Sequence, residues 1–286
     1  MSLSGTLGGP AASRSVRFER TRLLFRSPTF LVGLGILLFW IGCATIGQTL
    51  VDPLADDIIN SLSPPSTDHW FGTDQLGRDM FARVIAGSRD ILVVAPLATL
   101  LGILCGTMLG LVMGFFPGAV DDVLSRIIEA VLALPLLILA LVAITALGTS
   151  TATVILAIGL AFTPQVARTV RSAVMSERHL DYVAAARLRG ENALYIMAVE
   201  ILPNVLPPIM VELTVRLGYA IFTVATLSFL GVGLQPPSPD WGLAISENYA
   251  LIGGGYWWTV LFDALAIASL VVAINLIADA LHGAGE

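Results

Sequence analysis

Long apolar runs alternate with short polar stretches along this chain, and the runs have the length of membrane-spanning helices. Crossing about 30 Å of hydrocarbon takes about 20 predominantly apolar residues. Six segments are close to that length: residues 30–51, 91–116, 127–147, 151–166, 206–230 and 257–281. The later four contain proline or ionisable residues, which are tolerated where a helix faces protein or a water-filled cavity. The pattern predicts an all-α membrane protein with six transmembrane helices, as is typical of a transporter.

Composition supports a bilayer location and excludes several functions. Of the 286 residues, 56% are hydrophobic and 13% are charged, which leaves too little polar surface to cover a soluble globule of this size. The net charge of -6, without a basic face, argues against nucleic-acid binding. All fifteen basic residues are arginine. The chain therefore has neither the P-loop lysine that holds nucleotide phosphates nor a Schiff-base amine.

The positions of the arginines predict the topology. Five arginines precede the first apolar run, which is too long for a signal peptide, so we expect a retained first helix. With the N-terminus in the cytoplasm, most of the remaining arginines also fall on the cytoplasmic side, and both termini are predicted to lie there. The predicted parts are a cytoplasmic segment 1–29, a first helix 30–51, an extracytoplasmic loop 52–90, a five-helix core 91–282 with a cytoplasmic loop 168–203, and a tail 283–286.

Glycines recur every four residues in the second apolar run, at Gly102, Gly106, Gly110 and Gly114. Their missing side chains form a stripe along one face, where another helix can approach closely. Such packing is common in membrane proteins and does not by itself indicate a function. Cys43 and Cys105 each lie in an apolar run, so neither a disulfide nor a metal site is predicted.

The cytoplasmic loop has a helical pattern of its own. Asp181 is a plausible N-cap for a short helix that ends near Gly190, and a second short helix is predicted over residues 193–201, ended by Pro203. The first of these helices carries three consecutive small residues, Ala184, Ala185 and Ala186. Two interpretations remain open: a surface that lies against another protein, or an amphipathic linker on the lipid headgroups.

The loop resembles the EAA motif of binding-protein-dependent ABC permeases, whose pattern is roughly E-A-A-x3-G-x9-I-x-L-P. Here Ala184 stands at the Glu position and Glu200 at the Ile position, while the Ala-Ala, Gly and Leu-Pro spacing is kept. The resemblance implies a type I ABC importer permease fold, in which this loop is a coupling helix docked on a cytoplasmic ATPase. The residues that it assigns to ATPase coupling are Asp181, Tyr182, Ala184, Ala185, Ala186, Arg187, Arg189, Gly190, Leu202 and Pro203.

Two further segments resemble the C-type permease subunits of dipeptide and oligopeptide importers. Residues 71–79, FGTDQLGRD, are similar to their GTDxxGRD segment, and residues 227–242 are similar to their LSFLGLG...PP.P.WG segment. A weaker likeness to the family's C-terminal pattern covers Asn275, Asp279 and His282. The resemblance implies that outer residues face an extracytoplasmic binding protein; these are Gly72, Thr73, Asp74, Gly77, Arg78, Asp79 and Trp241. The spacing of Asp74 and Arg78, and of Asp79 and Arg83, also predicts helix ion pairs.

Ionisable residues at membrane depth point to a cavity or a partner, because burying a charge there is costly. Arg216 lies about 15 Å along the fifth predicted helix, near the midplane, and Glu212 is one turn away. The pair either lines a substrate pathway or is a structural ion pair. Asp263 and Asn275 on the last predicted helix complete the candidate pathway residues.

The resemblance implies several partners: a second homologous permease subunit, one or two ATPase subunits that bind ATP and Mg, a binding protein and a peptide substrate. We expect no catalytic residue, metal or cofactor in this chain. One alternative is the same machinery with nickel or another small solute as cargo. A carrier driven by an ion gradient is an alternative of another class, but the expected inverted repeats are not visible. An intramembrane enzyme would need a nucleophile and a base at mid-depth, and the sequence indicates no such pair there.

Overall fold

The computed structural model describes residues 27–47, 49, 52–53 and 57–283. The N-terminal arginines at positions 14 to 26, and the boundaries predicted near residues 51 and 286, lie outside the described residues. Within the described part the chain is all-α, as predicted, and contains no strand. Its nine main helices are α1 (Pro28–Gly42), α2 (Met80–Phe115), α3 (Ala119–Leu132), α4 (Leu136–Leu147), α5 (Thr151–Glu177), α6 (Asp181–Leu188), α7 (Leu202–Phe229), α8 (Trp241–Asn248) and α9 (Trp258–Gly283).

Five helical segments are long and apolar enough to cross a bilayer, and the count is six if the bent pair α3 and α4 is one span. The predicted third helix is thus two helices at 90° to each other. Pro135 accounts for the break, since proline has no N–H to donate and disfavours helical geometry at the preceding residue. A π-helical turn, Cys43–Gly47, continues α1.

Helix α2 begins eleven residues before its predicted start at residue 91. Asp79 is its N-cap, and the carboxylate accepts hydrogen bonds from the backbone amides of Phe81 and Ala82 at 2.7 and 3.2 Å. Such a cap satisfies amides that the first helical turn leaves unpaired. Helix α5 likewise runs to Glu177, beyond the predicted end at residue 166. Both helices extend past the length that crosses a membrane.

The prediction that Pro203 ends a short helix was wrong. A helical turn, Ala193–Tyr195, and a π-helical segment, Ile196–Ile201, lead without a break into α7, where Pro203 lies in the first turn. Proline is tolerated in the first turn of an α-helical segment because its missing N–H is not needed there. The connecting loop is therefore joined rigidly to a membrane-spanning helix.

The glycine stripe packs α2 against α5, as the spacing predicts. A Cβ atom on Gly106 would lie 2.5 Å from Cβ of Val166, and one on Gly110 would lie 2.6 Å from Cβ of Val170. Only glycine permits that approach.

On another side of the bundle, α1 packs on α9, where the Trp40 indole donates a hydrogen bond to Oγ of Ser269 at 2.9 Å. The main apolar core lies where α1, α2, α4, α5, α7 and α9 meet.

Candidate functional site

Helix α6 presents two different faces. Val183 and Ala186 are fully buried and pack in an apolar cluster with Val174, Ile196 and Ile201. The other face is open, with Ala184 and Ala185 exposed and the Leu188 side chain 91% exposed. We call Leu180, Ala184, Ala185, Leu188 and Leu194 the α6 patch; all five are exposed. An exposed apolar surface of this kind can lie against another protein or against lipid.

The ends of α6 differ from the prediction at one point. Leu180, not Asp181, occupies the N-cap position, and Asp181 is the first helical residue, where its negative charge still favours the helix dipole. Gly190 ends the helix with a φ of +79°, and its amide donates to the carbonyl of Arg187 at 3.0 Å. A positive φ is readily adopted by glycine and costly for a bulky side chain. The sequence therefore places the stop correctly.

Polar contacts fasten the buried side of α6 to its neighbours. The Tyr182 hydroxyl donates to Oε2 of Glu177 at 2.7 Å, and burial together with that bond raises the pKa of Tyr182 to about 12. The Arg187 guanidinium lies 5.5 Å from the ring centre of Phe115 at the end of α2. Arg189 donates to Glu200 at 2.6 Å. Movement of α6 would thus be passed to α2, α5 and the segment that leads into α7.

Of the predicted pathway residues, the structure brings Glu212 and Arg216 together. Arg216 Nε donates to Oε2 of Glu212 at 2.9 Å, and the hydroxyl of Thr169 on α5 donates to Oε1 at 2.7 Å. The Arg216 guanidinium also lies 5.8 Å from the ring centres of Phe162 and Tyr219. The ion pair predicted from i,i+4 spacing is confirmed, and both side chains are largely buried.

Asn275 and Asp263 lie in different surroundings on α9. Asn275 borders a cavity of about 340 Å³ with Gly218 and Tyr219 of α7. Asp263 is fully buried, and neither of its carboxylate oxygens has a hydrogen-bond partner among the described residues. Its electrostatic neighbours are Arg83 and the acidic groups near Arg83, at the end of the bundle opposite to α6. Asp263 therefore does not join Glu212 and Arg216.

The segment predicted to face a binding protein is built around Asp74. This fully buried carboxylate accepts hydrogen bonds from Arg78 Nε at 2.7 Å and Arg83 Nη1 at 3.3 Å. Both arginines also donate to Oε2 of Glu247 on α8, at 3.0 and 3.1 Å. Charges buried in this way must be paired, because an unpaired one would cost several kcal/mol. The cluster fastens the loop before α2 to α8.

One predicted ion pair in this segment was wrong. Arg83 pairs with Asp74 and Glu247, whereas Asp79 caps α2 and contacts Nδ1 of His69 at 3.0 Å. The N-cap position directs the Asp79 carboxylate to backbone amides, away from the next turn. Glu247 was missed by the sequence analysis, since it lies 164 residues from Arg83 and no local spacing indicates it.

Most side chains predicted to contact the binding protein are turned inward. Gly72, Thr73, Asp74, Gly77 and Arg78 are buried. Trp241 is also buried, and its indole donates to the carbonyl of Val84 at 2.8 Å. The exposed members of the segment are Gln75 and Leu76. The buried motif residues therefore shape the loop. A direct contact with a binding protein would have to be made by the exposed Gln75 and Leu76.

Asp240, the N-cap of α8, gives a prediction for pH dependence. Burial raises its pKa to about 6 from an ordinary value of 3.8, although the Leu243 amide donates to its carboxylate at 2.9 Å. Because the folded state favours the protonated form, its contribution to stability is present below pH 3.8 and is lost as the pH rises through about 6. Relative to Asp240→Asn, the wild type should lose roughly 3 kcal/mol across this window. Thermal unfolding of both proteins in detergent between pH 4 and 7.5 measures it; parallel profiles would contradict the assignment.

Comparisons with known proteins agree with the motifs. The family described as binding-protein-dependent transport system inner membrane component matches residues 106–284. A putative peptide transport system permease protein of Brucella suis is 37% identical over 281 residues, which covers 96% of this chain and 92% of the relative. The dipeptide transport system permease protein DppC of Bacillus subtilis is 35% identical, covering 95% of this chain and 86% of the relative. A probable D,D-dipeptide transport system permease protein, DdpC of Escherichia coli, is 36% identical, covering 81% and 77%.

Proposed function

This chain belongs to the family of binding-protein-dependent transport system inner membrane components, and from that premise we propose that it forms half of the channel through which an ABC importer carries di- and oligopeptides. The names of the relatives support a peptide cargo. The chain is a multi-pass membrane subunit that binds no ATP; ATP and Mg are bound by partner ATPases. A second permease subunit completes the channel, and an extracytoplasmic binding protein delivers the peptide.

The observation that carries the proposal is the exposed α6 patch. Leu188 and Leu194 are 91% and 73% exposed on a segment that joins two membrane-spanning helices. A linker resting on headgroups would expose its apolar side to lipid equally well. The EAA spacing and the rigid continuation into α7 favour an ATPase groove instead. Closure of the ATPase dimer then moves α6, and the contacts of Tyr182 and Arg187 pass that movement to α5 and α2.

This assignment fixes the proposed topology. The α6 end is cytoplasmic, together with both termini, and the α8 end is extracytoplasmic. The binding protein then meets the exposed Gln75 and Leu76, held in place by the buried cluster of Asp74, Arg78 and Arg83. Glu212, Arg216 and Asn275 line the passage between the two ends, and Asp263 supports the outer end.

Reconstitution tests the proposal. The complex should be purified through a tag on this chain, its companions identified by mass spectrometry, and uptake of a radiolabelled dipeptide measured in proteoliposomes. We expect ATPase and second permease subunits in the complex, and uptake that requires both ATP and binding protein. Uptake by this chain alone, driven by an ion gradient, would refute the importer assignment. Uptake of nickel instead of dipeptide would refute the cargo.

A further inference from the structure

The second half of α5 carries two stripes of different character on separate faces. Gln165, Thr169, Ser172 and Ser176 are spaced by four, three and four residues, which places four polar side chains on one face. On another face Val166, Val170 and Val174 are fully buried against the glycines of α2. A polar stripe on a membrane-spanning helix faces protein or water, because lipid would leave its hydrogen-bonding groups unsatisfied.

The polar stripe borders an open cleft of about 530 Å³ between α5 and α7. Its lining consists of Arg168, Thr169, Ser172, Ala173, Ser176 and, from α7, Pro208. We call this space the α5 cleft. Thr169 connects it to the candidate pathway, since its hydroxyl contacts Glu212. One turn deeper, Oε1 of Gln165 is buried without a hydrogen-bond partner among the described residues. The cleft therefore continues the pathway toward the α6 end.

Arg168 differs from the other described arginines between α5 and α7. Arg171 forms two bonds to Asp121, at 2.5 and 2.6 Å, and Arg216 is paired with Glu212. Arg178, Arg187 and Arg189 contact a carbonyl, an aromatic ring and a carboxylate, respectively. The Arg168 side chain is exposed and has no hydrogen bond or ion pair within the described part of the chain. Its guanidinium remains available to a ligand.

The charge balance of the cleft favours an anion. Glu212, the acid of the candidate pathway, is already engaged by Arg216 and Thr169, and no carboxylate among the described residues forms an ion pair with Arg168. A guanidinium matches the two oxygens of a carboxylate in a bidentate geometry. The hydroxyls of Ser172 and Ser176 can donate to or accept from the peptide bonds of a bound chain.

We propose that the α5 cleft is the last binding site on the peptide's path, where Arg168 holds the C-terminal carboxylate before release into the cytoplasm. The proposal rests on the proposed importer function. It assigns the carboxylate to Arg168 and the adjacent peptide groups to the serine hydroxyls. A positively charged site at the exit also attracts the carboxylate of a zwitterionic peptide. The bound peptide is then oriented with its C-terminal end at the exit.

Cysteine labelling in the complete importer tests this site. In a background with Cys43→Ser and Cys105→Ala, Ser172→Cys is labelled with a charged maleimide from the cytoplasmic face of inside-out vesicles, with and without dialanine or its C-terminal amide. We expect dialanine, but not the amide, to slow labelling. Arg168→Gln should raise the dialanine concentration needed for protection about tenfold, and Arg168→Lys should raise it less. Ala119→Cys is the control, since Ala119 is exposed at the start of α3 and outside the cleft; it should be labelled at the same rate throughout.

The outcomes separate this proposal from the function on which it rests. Failure of ATP-dependent uptake by the wild-type complex would refute the importer function itself. With uptake intact, protection that is equal for dialanine and its amide, or unchanged in both Arg168 variants, would overturn the carboxylate site. A cysteine at position 172 that does not react at all would overturn the water-filled cleft.

Discussion

Replacing Gly190 with tryptophan should lower ATP-dependent peptide uptake by at least about 30-fold while leaving membrane insertion intact. The residue has a φ of +79° and open space around it, so the large side chain projects from the end of α6 into the proposed ATPase contact. A central interface contact is worth about 2 kcal/mol or more, which corresponds to that fold-change. Uptake by reconstituted complexes and co-purification of the ATPase with this chain measure the effect.

Gly255→Trp is the matched control. Gly255 also has a positive φ, of +90°, with nothing within 4 Å of an added Cβ, and its amide donates to a carbonyl three residues back, as that of Gly190 does, so both variants have a similar backbone cost. It lies before α9, at the end of the bundle opposite to α6. We expect Gly255→Trp to retain its ATPase and most of its uptake. Equal losses in the two variants, or normal uptake with Gly190→Trp, would remove α6 from the coupling mechanism.

The second large effect is expected at the contact between α2 and α5. Gly106→Leu would place a Cβ 2.5 Å from Cβ of Val166 and 2.9 Å from the carbonyl oxygen of Thr163. Neither helix can yield locally, so the pair must separate, at a cost of about 3 kcal/mol or more. We expect most of the folded protein to be lost. The monodisperse fraction after detergent extraction and its thermal unfolding midpoint measure this loss.

Gly35→Leu tests whether the effect comes from packing. Gly35 is exposed on α1, and a Cβ there would meet nothing within 4 Å. Leucine favours the helix more than glycine does, so this variant should match the wild type in yield and unfolding midpoint. A loss in Gly35→Leu equal to that in Gly106→Leu would show that any glycine replacement in an apolar helix is harmful. The close approach of α2 and α5 would then have no special role.

Features that depend on neighbours within two helical turns were predictable from the sequence. The four-residue glycine period predicted the close approach at Gly106, and the i,i+4 spacing predicted the pair of Glu212 and Arg216. The polar period of α5 is equally visible in the sequence. Such features follow from helix geometry alone, because 3.6 residues per turn fixes which side chains share a face.

Other features were decided by contacts that local spacing cannot show. Arg83 carries the spacing of a pair with Asp79, but Asp79 caps α2 and Arg83 turns to Asp74 and to Glu247, which is far away in sequence. The sequence placed Asp263 at membrane depth among candidate pathway residues, and packing buried it near the cluster of Asp74 and Arg83. A buried charge takes whichever partner the fold brings near it, so its role depends on the packing of distant segments.

The sequence alone determines the helical class, the family, the position of α6 and the end of α6 at Gly190. These are set by hydropathy, by residue spacing and by the backbone freedom of glycine, which act within a short stretch of chain. The tertiary structure decided which face of α6 is open and that the helix continues through Pro203 into α7. It also decided that Arg171 is paired while Arg168 has no partner among the residues that the structure describes. Those outcomes depend on which distant helices meet, since burial and charge pairing are properties of the packed bundle.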